Sequence, residues 1–288
     1  MLAFDPGDAG YLRELAEFVA IPSVSRDATH DTMSAAAQWL AGQLGFAGGR
    51  VVETGGHPVV RGEWLGAAGA PTVLVYGHYD VQPTGDLAEW QTPPFELHAD
   101  GDIVRGRGAT TIRAPSTPTL EINGISGGGK YTVIPHVAVA HVSCRLVPGQ
   151  DPDRVIEAIV AHVGGLAVPG VRVTVRADQA RVPAYTILAG HPAIRAATAA
   201  LESVYPGEPV LLACIAGTLP ATALFDRVLG AKTLFFSFST ADEKLHAPNE
   251  YLRIRWLREG MRAWEQLWRL LAAGPHRLAA VGRPRRES

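Results

Sequence analysis

Val73-Leu74-Val75-Tyr76-Gly77-His78-Tyr79-Asp80-Val81-Gln82-Pro83 is the stretch on which the reading of the fold turns. Its first four residues are a continuous apolar run that stops at a glycine, the pattern of a strand buried on both faces within an α/β sheet. Whatever follows such a strand stands at its carboxyl end, where open α/β sheets receive their ligands. His78 and Asp80 occupy that place, two residues apart, so in extended backbone their side chains leave the same side. An imidazole with a carboxylate near enough to orient its second nitrogen is the arrangement that zinc-binding histidines use. Taken alone, these residues describe a hydrogen-bonded histidine at a strand end better than a metal ligand.

Working outward toward the N-terminus, Pro58–Trp64 and Arg50–Glu53 flank Gly55-Gly56, a hairpin signal. A helix is expected over Thr32–Leu44. Another covers Ala9–Ala20, where Leu12, Leu15, Ala16 and Val19 fall at helical spacing before Ile21-Pro22 ends the run.

Toward the C-terminus the texture becomes antiparallel, with expected strands at Leu120–Ile125, Tyr131–Ile134 and Val137–Val147. In the last, Ala138, Ala140, Val142, Cys144 and Leu146 share the drier face, while Val137, Val139, His141, Ser143 and Arg145 share the other. Asp151-Pro152 supplies a cap and a first-turn proline to a helix with a stripe of Val155, Ile156, Ile159, Val160 and Val163. Val171, Val173 and Val175 alternate in a closing strand. The α/β texture then returns with a helix near Ala193–Val204, strands near Val210–Ile215 and Thr233–Phe238, and a last helix carrying Leu257, Met261, Trp264, Leu267 or Trp268, and Leu271. Gly274-Pro275 ends that helix.

The expected architecture is α/β, with a small α+β domain inserted into a discontinuous larger one. The boundaries read as 1–111 with 184–274 for the large domain, 112–183 for the small one, and 275–288 for a basic tail containing Arg283, Arg285 and Arg286.

At 288 residues and 47% hydrophobic content the chain is long enough to bury a full core. A formal net charge of −2 gives no electrostatic footprint for nucleic acid or an anionic membrane. Cys144 and Cys214, the two cysteines, are too few for a disulfide framework and suit a reducing compartment. The opening MLAFDPGDAG lacks a basic and then apolar leader, and no long uncharged apolar run follows, so a cytoplasmic protein without membrane spans is expected.

The wider context changes the weight of His78 and Asp80. GHYDVQP, Trp90, Pro94-Phe95, Asp100-Gly101 and Gly106-Arg107-Gly108 resemble the dinuclear-zinc hydrolases that include carnosinases, aminoacylases and desuccinylases. Pro22-Ser23-Val24-Ser25 precedes them, and TLEINGI, TVIP, RLVPGQDP and HAPNEY follow in family order. The resemblance covers nearly the whole chain and is strongest to the carnosinase-like dipeptidase branch.

The resemblance implies an incomplete zinc-peptidase-type sheet domain with an inserted lid- or dimerisation-like domain. It implies that His78 would ligate one zinc ion and His246 the other, with Asp80 steadying the His78 ring. Arg145 matches the clamp for a substrate carboxylate, which an arginine fork can hold by two parallel hydrogen bonds. Thr132 matches a neighbouring hydrogen-bonding position. Thr218, in Ala216-Gly217-Thr218-Leu219-Pro220, keeps a hydroxyl in a loop that is otherwise glycine-rich in the family. His136 and His141 do not fall where the family places its small-domain histidine. The implied cofactor is zinc, two ions per site. The implied partners are a dipeptide or N-acyl amino acid substrate and a second copy of the chain.

Against that pattern, the text after Gly108 reads Ala109-Thr110-Thr111-Ile112-Arg113. The family's bridging aspartate, its Glu-Glu pair and a later acidic ligand have no match here. Asp242-Glu243, the one adjacent acidic pair, belongs to the segment before His246 and is the only candidate substitute. A catalytic zinc generally takes about three protein ligands plus water, and a general base contributes about 10²–10⁴ in rate. The sequence therefore leads to the expectation of a metallopeptidase-type protein that is catalytically impaired. The alternative is a non-catalytic peptide- or partner-binding relative, or an internally deleted product.

Overall fold

The computed structural model describes residues 8–27, 29–109, 119–128, 134–166, 169–178, 181–212, 219–240 and 242–273. Its elements, in chain order, are helices α1 (Asp8–Val19) and α2 (His30–Gln43), strands β1 (Arg50–Val52), β2 (Val59–Arg61), β3 (His98–Asp100), β4 (Ile103–Arg105), β5 (Thr119–Gly127) and β6 (Ala138–Arg145), helices α3 (Pro152–Gly165), α4 (Pro192–Val204) and α5 (Pro220–Leu229), strand β7 (Tyr251–Arg253) and helix α6 (Ile254–Ala272). They fall into two compact units, one of Met1–Arg113, Pro192–Val210 and Phe236–Ser288, the other of Ala114–His191 and Leu211–Phe235.

In the first unit, β3, β4 and β7 form an antiparallel sheet with β4 in the middle. Val104 lies opposite Leu252 in that sheet, which brings the Gly106-Arg107-Gly108 turn beside the segment that ends at Glu250. Val104, Leu252, Leu12, Ala109 and Ile254 make the buried cluster, with Leu15, Leu97, Trp256 and Leu257 packed against it. A second contact layer joins α4 to α6. Small residues are buried on both helices, Ala196, Ala197 and Ala200 on α4 and Gly260 and Ala263 on α6. At Gly260 a Cβ would stand 2.8 Å from the ring of Phe238, so glycine is what lets that ring approach.

The helix starts follow their caps. Thr29 accepts a hydrogen bond from the Thr32 amide ahead of α2, and Asp151 accepts from the Asp153 amide ahead of α3, where Pro152 occupies the first turn. The hairpin read around Gly55-Gly56 is β1 paired with β2, with Val51 opposite Val60. Helix α5, which ends on Gly230 in the left-handed region, was not anticipated from the sequence.

In the second unit, β5 and β6 pair antiparallel with a register shift between Ile122 and Gly124. No face of β6 is dry: the strand is exposed from Ala138 to Val142 and half-buried only over Ser143–Arg145. A two-stranded ribbon covers neither of its own faces, which is why alternation in the sequence did not become one-sided burial. The apolar stripe of α3 is likewise only half-buried along most of its length.

The expected buried strand at Val73–Tyr76 is not formed. Among the described residues it enters no ladder, and its side chains stay exposed, Val75 by 61%. A central strand gains its burial from neighbours supplied by distant segments, and those at 171–175, 210–212 and 233–238 also enter no ladder. The remaining expected strand residues, 131–133 and 213–215, lie outside the described residues.

Candidate functional site

Ser23, Val24 and Ser25 anchor the segment that carries His78. Val24 forms an isolated parallel bridge with Val81, and the Val81 amide donates to the Ser23 carbonyl at 2.9 Å. The buried Ser23 hydroxyl donates to the Tyr79 carbonyl at 2.8 Å, and Tyr79 donates to the Pro58 carbonyl. Burial, then the nearby Asp80 and Glu53 carboxylates, push the Tyr79 phenol above its ordinary range.

His78 Nδ1 lies 3.0 Å from the Asp80 carbonyl and 3.2 Å from Asp80 Oδ1. Both are acceptors, so Nδ1 carries a proton and Nε2 is the ring nitrogen left to meet a ligand. An imidazole held in this way is oriented to offer Nε2 to a metal. Asp80 Oδ2 in turn accepts from the Ser25 hydroxyl at 2.6 Å.

His246 enters from the opposite end of the chain, on the turn before β7. Three non-glycine residues in this turn hold positive φ: Lys244 at 50°, His246 at 61° and Asn249 at 63°. Such backbone is costly and persists only where the surroundings enforce it. Burial, followed by the Arg107 charge and then the neighbouring His78, holds the His246 imidazole below its ordinary pKa, which favours the neutral form.

The support beneath His246 is a polar cluster. Arg107 donates to Glu250 at 2.7 Å and to the Thr84 carbonyl at 3.3 Å, and its guanidinium lies 5.0 Å from the Trp90 ring centroid. Trp90 Nε1 donates to the same Thr84 carbonyl at 2.9 Å. Asn249 accepts from the Gln91 amide and donates to the Glu89 carbonyl, each at 2.7 Å. Sequence reading noted Gly106-Arg107-Gly108 and His246–Glu250 as separate motifs. That Arg107 and Glu250 are partners is legible in neither motif, since Arg105 stands two residues before Arg107 with the same charge and only the flanking glycines set Arg107 apart.

Asp242 and Glu243, the candidate substitutes for the missing carboxylates, are instead engaged by Arg253. Asp242 accepts from Arg253, from Thr240 Oγ1 at 2.6 Å and from the Tyr251 hydroxyl at 3.0 Å. Glu243 is fully buried, lies 3.6 Å from Arg253 and accepts from the Thr240 amide at 3.0 Å. Arg145, on β6 in the second unit, faces Glu121 on β5 at 3.4 Å, a diagonal cross-strand pair. Thr132 and Thr218 lie outside the described residues. His136 and His141 are exposed.

Among the described residues the donor set does not fit a dinuclear zinc centre. His78 offers one nitrogen and His246 another, and among the described residues no group of three or more His, Cys, Asp or Glu side chains gathers at metal-binding distance. A catalytic zinc takes about three protein ligands, and two imidazoles fall short of that.

Residues 76–171 match a family profile described as a peptidase dimerisation domain. A Cys-Gly metallodipeptidase of Candida albicans is 33% identical over 130 residues, covering 39% of this chain and 27% of that protein. A succinyl-diaminopimelate desuccinylase of Paracoccus denitrificans is 43% identical over 77 residues, 26% of this chain and 20% of that protein. The chain thus matches about a quarter of the length of these curated relatives. Among solved structures, an M20 family metallo-carboxypeptidase from Sulfolobus solfataricus superposes with a TM-score of 0.78 at 18% identity, over 94% of this chain and 100% of that one. Human carnosine dipeptidase 1 superposes at 0.76 and 16% identity, over 92% of this chain and 97% of that one. The chain is related to these enzymes in sequence and has the α/β fold of M20 metallopeptidases.

Proposed function

We propose that this chain, a relative of the M20 metallopeptidases, is a dipeptidase-type protein that keeps one imidazole donor from each half of the family's metal site and does not hydrolyse amide bonds at a family-like rate. The observation that carries the reading is the His78–Asp80 pair, in which Nδ1 lies 3.0–3.2 Å from two Asp80 acceptors and Nε2 is the ring nitrogen left for a ligand. His246, in the electrostatic reach of His78, is the second donor. No residue after Gly108 matches the bridging carboxylate or the general base, which removes a contribution of about 10²–10⁴ in rate.

In this reading residues 1–111 and 184–274 are the catalytic-type domain and 112–183 a lid-like one. Arg145, Thr132 and Thr218 would hold a dipeptide or N-acyl amino acid, the ligand carboxylate displacing Glu121 from Arg145. The match to a dimerisation domain supports a homodimer. Among the described residues no helix is long and apolar enough to cross a membrane, and a cytoplasmic location completes the reading.

The test is metal analysis with a hydrolysis assay on the full chain. Weak, substoichiometric zinc binding that disappears in His78→Ala, without turnover of dipeptides, is the expected result. Two tightly held equivalents with turnover would overturn the impairment, and zinc binding indifferent to His78→Ala would overturn the assignment of the donors. Peptide binding that does not depend on zinc would favour the non-catalytic alternative.

A further inference from the structure

We infer that Ser25 is a positioning residue for His78, acting through the Asp80 carboxylate to hold the imidazole in its Nδ1–H form with Nε2 bare. The inference rests on the reading of His78 as a ligating imidazole and names a residue that sets the state of that ring.

Asp80 presents two carboxylate oxygens, and they are used differently. Oδ1 faces His78 Nδ1 at 3.2 Å, while Oδ2 accepts the Ser25 hydroxyl at 2.6 Å. The two contacts together fix the rotation of the carboxylate, because turning Oδ1 away from the ring would also break the shorter bond to Ser25. Asp80 is 40% exposed at the side chain and His78 47%, so neither is locked by packing and hydrogen bonds must do the orienting. His78 has one other acceptor, the Asp80 carbonyl at 3.0 Å. That carbonyl cannot by itself discriminate strongly, since an exposed ring can rotate and exchange it for water.

Ser25 is itself held from behind. Its carbonyl accepts from His57 Nε2 at 2.9 Å, and the neighbouring Val24 bridges to Val81 one residue beyond Asp80. The loop around Ser25 is therefore registered against the His78 loop by contacts other than the hydroxyl bond. Ser23 serves a separate purpose: it is buried and bonds the Tyr79 carbonyl, which anchors the backbone without touching the Asp80 carboxylate. The two serines thus make separable predictions, one about ring state and one about loop stability.

The experiment is two-bond ¹H–¹⁵N NMR of the histidine rings in the full chain, metal-free and at a pH about 1.5 above the ordinary imidazole value of about 6.5. The wild-type His78 ring is expected in the Nδ1–H tautomer. Ser25→Ala and Ser25→Val should shift its nitrogen signals toward those of a ring protonated on Nε2, while Ser25→Thr, matched in shape to valine but bearing the hydroxyl, should keep the wild-type pattern. Ser23→Ala should lower the unfolding midpoint and leave the tautomer unchanged. A wild-type ring protonated on Nε2 would overturn the proposal without any variant. So would identical ring signals in Ser25→Thr and Ser25→Val, or a shift in Ser23→Ala equal to that in Ser25→Ala, which would reduce Ser25 to a loop anchor. Because no metal is added, failure here is distinct from failure of the zinc-binding test on His78→Ala.

Discussion

Arg107 and Glu250, 143 positions apart in the chain, meet as an ion pair at 2.7 Å with both residues only 2% exposed. The pair joins the turn after β4 to the residue before β7, and so carries the His246 turn. Removing one member leaves a buried charge uncompensated, which typically costs about 3–5 kcal/mol, whereas an apolar replacement of both is far milder. Arg107→Met or Glu250→Gln should therefore lower the urea midpoint steeply, and Arg107→Met with Glu250→Leu should recover much of the loss. Single and double variants that lose stability additively would show that the two side chains do not act as a pair.

Gly108 has φ +83°, and a Cβ there would meet Val81 Cγ1 at 2.5 Å. Gly108→Ala faces both left-handed strain and a clash with the residue next to Asp80, for a cost of about 1–3 kcal/mol. Adding Val81→Ala should relieve the clash but not the strain. Full recovery in the double variant would mean that the backbone conformation is not the constraint.

Asn249 combines φ 63° with hydrogen bonds to the Gln91 amide and the Glu89 carbonyl. Asparagine tolerates this backbone better than other non-glycine residues. Asn249→Ala should cost about 2–3 kcal/mol, from two bonds near 1 kcal/mol each and the added strain. Asn249→Gly, which keeps the backbone at ease, should cost less, and the order of the two unfolding midpoints is the check.

The Asp242 carboxyl is held well below the ordinary aspartate range, first by its bond to Arg253 and then by Thr240, with Tyr251 adding a smaller contribution. The unfolded chain therefore takes up this proton at higher pH than the folded protein does. Stability from the group is complete above about pH 4 and is lost as pH falls below that toward the folded value. The gap between wild type and Asp242→Asn in denaturant midpoint should be widest near pH 6 and narrow by about pH 3. A gap that stays constant across that window would place the effect outside the ionisation of Asp242.

Val73, Leu74, Val75 and Tyr76 form a contiguous exposed apolar run. Exposed extended apolar backbone is a template for pairing with other chains. Leu74→Lys with Val75→Glu should reduce concentration-dependent light scattering and leave the far-UV spectrum unchanged. Unaltered scattering would move the source of association to another surface.

Helices were the part of the fold most readable from sequence, because their causes are local. Leu12 and Val19 on α1, the Thr29 cap of α2, and Asp151-Pro152 ahead of α3 each act within a turn or two of the element they define. Helix α5 is less legible because Leu219 at its start supplies no side-chain cap, leaving only Pro220 in the first turn to mark it. Strands were read less well. The β1–β2 hairpin around Gly55-Gly56 was expected and found, whereas Val73–Tyr76 has the composition of a buried strand and is exposed. Composition measures fitness for a ladder, and the ladder itself depends on partners from elsewhere in the chain.

The sequence by itself determined the kinship, every described helix but α5, and the local geometry of His78 and Asp80, since a two-residue spacing places both groups within reach of one another. Tertiary structure alone decided that Ser25 completes the Asp80 carboxylate, that Arg107 and Glu250 form the buried pair under His246, and that Asp242 and Glu243 belong to Arg253. Each of those contacts is chosen by geometry among several chemically equivalent partners. Charge and hydrogen-bonding capacity are written in the residues, but which donor meets which acceptor is settled only when β4 and β7 pair and the Ser23–Ser25 loop docks against Val81.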